Sequence, residues 1–227
     1  MATIDEAKLA AAEAALAELP EHGVIGLGTG STSKLFIDLV GPLVKAGRRF
    51  QAVPTSEASR AQAKALGIPL LDDVGPWAID VCVDGADEVS YALDLIKGGG
   101  GAHTREKIVN AAAKKNVIIV DVSKRSKQLG EKWAVPVEVL PFGRESTASA
   151  LTNFGVPKLR VKNGTTFHND SGNFIYDLET GVIAKPGELE SNLRKIPGVV
   201  EVGLFIQRAD VVLVASEQGV QRLTRAP

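Results

Sequence analysis

The chain has 227 residues, 44% hydrophobic and 23% charged, which is the composition of an ordinary globular protein long enough to bury a sizeable core. Because 26 Lys and Arg residues face 27 Asp and Glu residues, the formal net charge is −1, and no global field favours nucleic acid or an anionic membrane surface. The single cysteine, Cys82, excludes an intrachain disulfide and lies in an apolar run typical of a buried strand. The N-terminus lacks the pattern of a secretory signal, and no apolar run approaches the roughly 18 residues that cross a bilayer, so we expect a cytoplasmic protein.

Helix-like and strand-like segments alternate through the first half of the chain. The predicted helices cover residues 4–19, 31–47, 56–67 and 104–115. The predicted strands are "GVIGLG", "FQAVPTS", "IPLL", "AIDVCVDG" and "NVIIVDVS". Strands that are apolar throughout and separated by helices predict a parallel sheet with helices on both faces, whose ligands bind beyond the carboxyl ends of the strands.

From about Glu131 the order of elements becomes β-α-β-β-α-β, the pattern of a ferredoxin-like domain. The final segment, "ADVVLVASEQGVQRL", is predicted to be a strand followed by a helix that rejoin the first domain. We therefore predict an α/β fold. A Rossmann-like catalytic domain with a mostly parallel sheet takes residues 1–130 and 207–227, and a smaller α+β ferredoxin-like domain takes residues 131–206.

The loop "GLGTGSTSK" lies between a predicted strand and a predicted helix. Its glycines and hydroxyls can present N–H and O–H donors to a phosphate at the helix N-terminus. A Walker A loop is excluded, because counting from Gly28 places Ser33 where the second glycine should be. The dinucleotide fingerprint fails in the same way, since its third glycine would fall on Ser31 or Ser33. The alternative is a plain tight turn between strand and helix.

A second group of polar residues runs from "VDGADE" through Lys97 and four glycines to Glu106. The acids after the strand either cap the next helix or serve chemistry. Lys97 is either a solvated lysine or the cation that neutralises an oxyanion, with glycine N–H groups beside it. Glu106, at the start of a predicted helix, either complements the helix dipole or acts as a general base.

The three histidines, His22, His103 and His168, have no spacing that gathers metal ligands. We therefore expect no metal site.

Taken together and in order, "GLGTGSTS", "VDGADEV", "IKGGGGAHTREK", "VDVSK" and "IPGVVEVGLF" resemble ribose-5-phosphate isomerase of the A type over essentially the whole chain. The resemblance implies interconversion of ribose 5-phosphate and ribulose 5-phosphate without metal or organic cofactor, and a homodimer or homotetramer. It places the proton acceptor at Glu106. The positions that match the family's phosphate and sugar contacts are Thr29, Gly30, Ser31, Thr32, Asp84, Gly85, Ala86, Asp87, Lys97, Gly98, Gly99, Gly100 and Lys124.

The residue types agree with that reaction. One carboxylate, Glu106, can carry a proton between neighbouring carbons through an enediolate, while Lys97 stabilises the oxyanion and Asp84 or Asp87 handles hydroxyl protons during ring opening. A sugar-phosphate sensor on the same fold stays open as an alternative, although it would not require both Glu106 and Lys97. A nucleotide-dependent kinase is disfavoured by the failed Walker pattern.

Overall fold

A computed structural model describes residues 3–225 of the chain. Among these residues there are six α-helices, namely α1 Ile4–Ala15, α2 Ser31–Lys45, α3 Glu57–Ala65, α4 His103–Ala112, α5 Arg144–Leu151 and α6 Pro186–Leu193. Within the same residues no helix is both long and apolar enough to cross a membrane.

The strands of the first half are β1 His22–Leu27, β2 Arg49–Pro54, β3 Val81–Asp84, β4 Glu88–Val89, β5 Leu95–Ile96 and β6 Asn116–Asp121. Those of the second half are β7 Val135–Val139, β8 Val156–Leu159, β9 Val161–Lys162, β10 Thr165–Thr166, β11 Phe174–Glu179, β12 Val199–Val202, β13 Leu204–Phe205, β14 Val211–Ser216 and β15 Gly219–Thr224.

The chain divides into two compact units. Unit 1 takes the chain up to Ala86, then Arg105–Ser123, and then the chain from Arg208 onward. Unit 2 takes Asp87–Thr104 and Lys124–Gln207. Unit 2 therefore includes two segments before residue 131 that the sequence prediction assigned to the first domain, and the predicted domain boundaries stay a proposal.

Unit 1 contains a six-stranded sheet in the order β15-β14-β6-β3-β1-β2. Its neighbouring strands are parallel except for the antiparallel edge pair β14 and β15. The predicted mostly parallel sheet is confirmed. Because β1, β2 and β3 run in the same direction, the loops that follow Leu27, Pro54 and Asp84 leave the sheet at one edge.

Alternate residues of β1 enter two different apolar cores, as the side-chain alternation of a strand requires. Ile25 and Leu27 pack with buried residues of α1, α2 and α3. A Cβ added at Gly26 would contact Val109 of α4 and Cys82 of β3. Helices therefore cover both faces of this sheet, as predicted.

Unit 2 contains a four-stranded antiparallel sheet in the order β12-β7-β11-β8. With α5 after β7 and α6 after β11, the chain runs β-α-β-β-α-β, which is the predicted ferredoxin-like arrangement. Side chains of α5 and α6 pack on the valines of β7 in one core. Short strands form a three-stranded sheet, β13-β5-β4, and a pair, β9 and β10.

Two predicted elements are wrong. The last segment ends in the strand β15 and not in a helix, because residues 217–218 make a tight turn after Ser216 and Gly219 takes a φ of +106°, which sends the chain back along β14. The stretch "IPLL" forms only a single bridge from Leu70 to Ala52, since Pro69 has no N–H to extend the pairing.

Glu88, one of the acids in "VDGADE", is fully buried in unit 2 and organises a loop. Its carboxylate accepts hydrogen bonds from the backbone N–H groups of residues 130–133, at 3.0, 3.2, 3.2 and 3.3 Å. It also accepts one from Ser126 Oγ at 2.6 Å. A buried carboxylate with this many donors is a structural anchor for the loop.

We therefore predict that Glu88→Gln destabilises the protein by on the order of 3 kcal/mol, because the amide loses the charge and turns an NH₂ group towards buried donors. Urea denaturation measures the change. The matched control is Glu179→Gln, whose half-exposed carboxylate pairs with Lys158 and should contribute less than about 1 kcal/mol. Equal losses in the two variants would contradict the anchoring role.

Candidate active site

The first loop of unit 1 is held to the end of β3 by Asp84, whose side chain is buried. Its Oδ1 accepts hydrogen bonds from Thr29 N at 3.0 Å, Ser33 Oγ at 3.1 Å and Gly85 N at 2.7 Å. Ser33 Oγ in turn accepts from Gly85 N at 3.1 Å. The predicted residue Thr29 is thus brought to Asp84 and Gly85, which lie more than fifty positions later in the sequence.

This contact requires a glycine at position 28. A Cβ there would overlap the carboxylate of Asp84. The following glycine, Gly30, has a φ of +111° and is the residue before the first turn of α2. Because Gly30 carries no side chain, it makes no capping hydrogen bond to the N–H groups of the first turn, which belong to Ser31, Thr32 and Ser33 and point out of the N-terminal end of the helix.

A cluster of hydroxyls lies beside Thr29. Thr29 Oγ1 donates to Ser56 Oγ at 2.8 Å and lies 2.7 Å from Thr55 Oγ1. Ser56 also caps α3 by accepting from Ser59 N at 3.1 Å. Thr55 directly follows β2, so this cluster comes from the carboxyl end of the neighbouring parallel strand.

The first loop borders a cavity of about 450 Å³ in unit 1. This volume is in the usual range for small-ligand pockets. The lining residues come from the loop and from α2 and α3, and are Thr29, Gly30, Ser31, Lys34, Ala58, Ser59 and Gln62. The structure therefore places three of the four predicted loop residues on this cavity and adds a lysine that the sequence reasoning did not select.

Glu106 lies in the first turn of α4 and is only 4% exposed. A surface acid that merely complements the helix dipole would be solvated, and acids are seldom buried unless they are paired or functional. Its burial favours a chemical role.

In unit 2, the glycine run follows β5 and makes a tight turn in which Gly101 N donates to Gly98 O at 2.9 Å. Gly98 has a φ of +111°, and a Cβ there would lie 2.7 Å from Nδ1 of His103. At Gly99 a Cβ would lie 2.6 Å from the carboxylate of Asp87. Gly98 and Gly99 have no room for a side chain because His103 and the partly buried Asp87 approach the backbone closely.

Asp87 accepts a hydrogen bond from Gly99 N at 2.7 Å. Burial raises the pKa of Asp87, and the Gly99 N–H and the charges of Lys97, Lys124 and Arg160 offset part of that increase. A carboxyl group with a raised pKa exchanges protons more readily near neutral pH than an ordinary aspartate.

Two predicted lysines of unit 2 lie over aromatic rings. Lys97 is 3% exposed, and its Nζ lies 5.4 Å from the ring centre of Phe205. Nζ of Lys124 lies 5.1 Å from the ring centre of Trp133. Lys97 is therefore not a solvated loop lysine, and both cations are oriented by aromatic faces.

Among residues 3–225, no three His, Cys, Asp or Glu side chains lie close enough together to hold a metal ion.

The comparisons with known proteins agree on one family. The family model described as ribose 5-phosphate isomerase A (phosphoriboisomerase A) matches residues 51–219. The chain is 46% identical to the Ribose-5-phosphate isomerase A of Gloeobacter violaceus, over 97% of this chain and 97% of that protein. It is 44% identical to the protein of the same name from Rhodopseudomonas palustris, over 98% and 99%. The chain belongs to the ribose 5-phosphate isomerase A family.

Solved structures of the family have the same fold. A D-ribose-5-phosphate isomerase determined in complex with phospho-erythronic acid superposes with a TM-score of 0.95 at 39% identity, covering 99% of this chain and 100% of that one. The ribose 5-phosphate isomerase A of Methanocaldococcus jannaschii superposes with a TM-score of 0.92 at 39% identity, covering 98% and 100%. The family resemblance drawn from the motifs is confirmed.

Sequence reasoning missed two groups of residues near the predicted ones. The hydroxyls of Thr55, Ser56 and Ser59 had a usable signal, because they follow the strand next to β1. Arg160 and Asp177 had none, since Arg160 follows β8 and Asp177 lies on β11, about sixty or more residues beyond the glycine run.

The raised pKa of Asp87 predicts a gain in stability on neutralisation. A carboxyl whose folded pKa exceeds its unfolded value favours the folded state below the unfolded pKa, and this stability is lost as pH rises through the folded pKa. Asp87→Asn keeps an acceptor for Gly99 N–H and removes the partly buried charge. We expect the variant to be more stable than wild type at pH 7, by less than about 2 kcal/mol.

Urea denaturation at several pH values checks this expectation. The difference in the free energy of unfolding between the variant and wild type should become smaller towards pH ~4, near the ordinary pKa of an aspartate. A variant that is less stable than wild type at pH 7 would contradict it.

Proposed function

We propose that this protein interconverts D-ribose 5-phosphate and D-ribulose 5-phosphate through an enediolate, as the isomerase of the non-oxidative pentose phosphate pathway. The observation that carries the proposal is the burial of two ionisable side chains, Glu106 and Lys97, within the family's motifs. Burying such groups is costly, and a sensor that only binds a sugar phosphate needs neither a base nor an oxyanion partner.

Glu106 is the proposed proton shuttle. Its carboxylate removes the proton from C2 of the open-chain aldose, the C–H electron pair forms the C1=C2 bond, and the carbonyl electron pair moves onto O1. The enediolate then takes a proton back at C1 from the same carboxyl group, which can exchange that proton with water between the two steps, while the hydroxyl proton of O2 passes to O1. No electrons are gained or lost overall, so the reaction needs no redox cofactor, and we propose that it uses no metal.

Lys97 is the proposed partner of the developing oxyanion, since a buried ammonium acts strongly where water is excluded. The N–H groups of Gly99 and Gly101 already donate to Asp87 and to Gly98 O. We therefore assign any companion N–H role to Gly98 or Gly100.

The two aspartates have different environments, and we propose different roles for them. Oδ1 of Asp84 accepts three hydrogen bonds that fix the first loop, which suits an anchor that shapes the sugar site through Gly85 and Ala86. Asp87 has a raised pKa, which suits exchange of hydroxyl protons during ring opening.

The phosphate is proposed to bind at the first loop, where Gly30, Ser31 and Thr32 supply donors at the start of α2, while Thr29, whose N–H and hydroxyl donate to Asp84 and Ser56, shapes the loop. A helix N-terminus with uncapped N–H groups favours an anion. Lys124 is the proposed additional cation for the substrate. We further propose that the protein acts in the cytoplasm as a homodimer or homotetramer, in line with the family resemblance.

The decisive variant is Glu106→Gln, which keeps the size of the side chain but cannot take a proton from carbon. Turnover should fall by roughly 10²-fold or more while ribose 5-phosphate still binds. Hydrogen exchange into C1 and C2 of the substrate in heavy water, followed by NMR, should occur with wild type and not with the variant.

The matched control is Glu145→Gln, an acid in the first turn of α5 whose side chain is 74% exposed. It should change stability by at most about 1 kcal/mol and leave turnover intact. If Glu106→Gln folds, binds and exchanges at the wild-type rate, the base is another residue.

The phosphate assignment is tested by replacing Ser31 and Thr32 together with Ala. Binding of ribose 5-phosphate, measured by calorimetry, should weaken about tenfold or more, because donors to a dianion are lost. Residual turnover of unphosphorylated ribose should change much less. Equal losses with both substrates would contradict the assignment of the phosphate to this loop.

A further inference from the structure

Arg160 directly follows β8 in unit 2, and its side chain is 12% exposed. Asp177 on β11 binds it through two parallel hydrogen bonds, from Nε to Oδ2 at 2.9 Å and from Nη2 to Oδ1. The remaining nitrogen, Nη1, donates to Gly98 O at 2.7 Å and to Gly99 O at 3.3 Å. A fixed arginine therefore holds the carbonyl groups of the glycine run.

The peptide between Gly98 and Gly99 is held from both sides. In a trans peptide the C=O and N–H groups point in opposite directions. Here Gly98 O accepts from Arg160, while Gly99 N donates to Asp87 Oδ2 at 2.7 Å. A continuous chain of hydrogen bonds thus links Asp177, Arg160, this peptide and Asp87.

The glycine run has no side chains with which to fix itself. A Cβ on Gly98 or Gly99 would collide with His103 or Asp87, so glycine is required at both positions. Glycine has the largest conformational freedom to lose on ordering. Within the run, the N–H of Gly101 also donates to Gly98 O, at 2.9 Å, and Arg160 adds the side-chain donor that holds the same carbonyl from outside the run.

We propose that Arg160, held by Asp177, is a positioning residue that orients the carboxylate of Asp87 through the Gly98–Gly99 peptide. The inference rests on the proposed function, in which Asp87 exchanges hydroxyl protons of the substrate. A donor on the carbonyl side also polarises the peptide and strengthens its N–H as a donor.

The charge of Arg160 lowers the pKa of Asp87, as the hydrogen bond from the Gly99 N–H also does. The charged groups that lower the pKa of Asp87 are Lys97, Lys124 and Arg160, together with the Gly99 N–H. Removing Arg160 takes away one of these charges and loosens the N–H. The pKa of Asp87 should then rise further above its ordinary value.

The test uses Arg160→Met, which keeps much of the length and apolar stem, and Arg160→Lys, which keeps the charge without the planar fork. The control is Lys158→Met, on the strand that precedes Arg160, and the ammonium of Lys158 makes an exposed pair with Glu179 at 2.7 Å. Aspartate carboxyl carbons labelled with ¹³C are titrated by NMR, and the Asp87 signal is assigned by its absence in Asp87→Asn.

We expect the titration of Asp87 to move to higher pH in Arg160→Met, to move less in Arg160→Lys, and to stay at the wild-type value in Lys158→Met. The kcat of ribose 5-phosphate isomerisation should fall roughly tenfold in Arg160→Met. The part of the pH profile of kcat that reports the titration of Asp87 should move to higher pH. KM should change little, because Arg160 makes no proposed contact with substrate.

A folded Arg160→Met protein in which Asp87 titrates as in wild type would overturn the positioning role. If Arg160→Met does not fold, Arg160→Lys decides, and an unchanged titration together with unchanged kcat overturns the proposal. The titration needs no turnover, so it judges Arg160 separately from the proposed function, which fails if the wild-type protein does not isomerise ribose 5-phosphate.

Discussion

Within residues 84–88, two carboxylates are buried, those of Asp84 and Glu88, and that of Asp87 is partly buried, and each accepts a hydrogen bond from at least one backbone N–H of another segment of its own unit. Asp84 binds the loop after β1, Asp87 binds the glycine run, and Glu88 binds the loop at residues 130–133. A buried carboxylate is tolerated only when such donors satisfy it. The loops that carry the proposed chemistry are therefore ordered by the acids that they enclose.

This constraint explains where glycine is required. At two positions the carboxylate lies so close to the chain that a Cβ has no room, namely at Gly28 beside Asp84 and at Gly99 beside Asp87. The glycines are not a sign of flexibility here. Side chains help to hold these glycines, since Ser59 Oγ donates to Gly28 O at 2.7 Å in the first loop and Arg160 donates to Gly98 O in the glycine run.

Different surroundings give the carboxylates of this protein different roles. Glu88, with five donors, is an anchor, and Asp84, with three donors on one oxygen, shapes a loop. Asp87 has one backbone donor and a raised pKa, and so suits proton exchange. Glu106 is buried in the first turn of a helix and suits the proton shuttle. Acid–base catalysis of this type depends on surroundings that give like carboxyl groups different pKa values and different roles.

The sequence by itself determined the family, the mostly parallel sheet and the ferredoxin-like order, because hydrophobic periodicity and ordered motifs are local signals. It also marked the first loop and the stretch from Asp84 to Glu106 as chemically unusual. It could not separate Glu88 from its neighbours or find Arg160, and it mistook β15 for a helix. These depended on partners far along the chain, and only the tertiary structure decides which donors, charges and strands a residue meets.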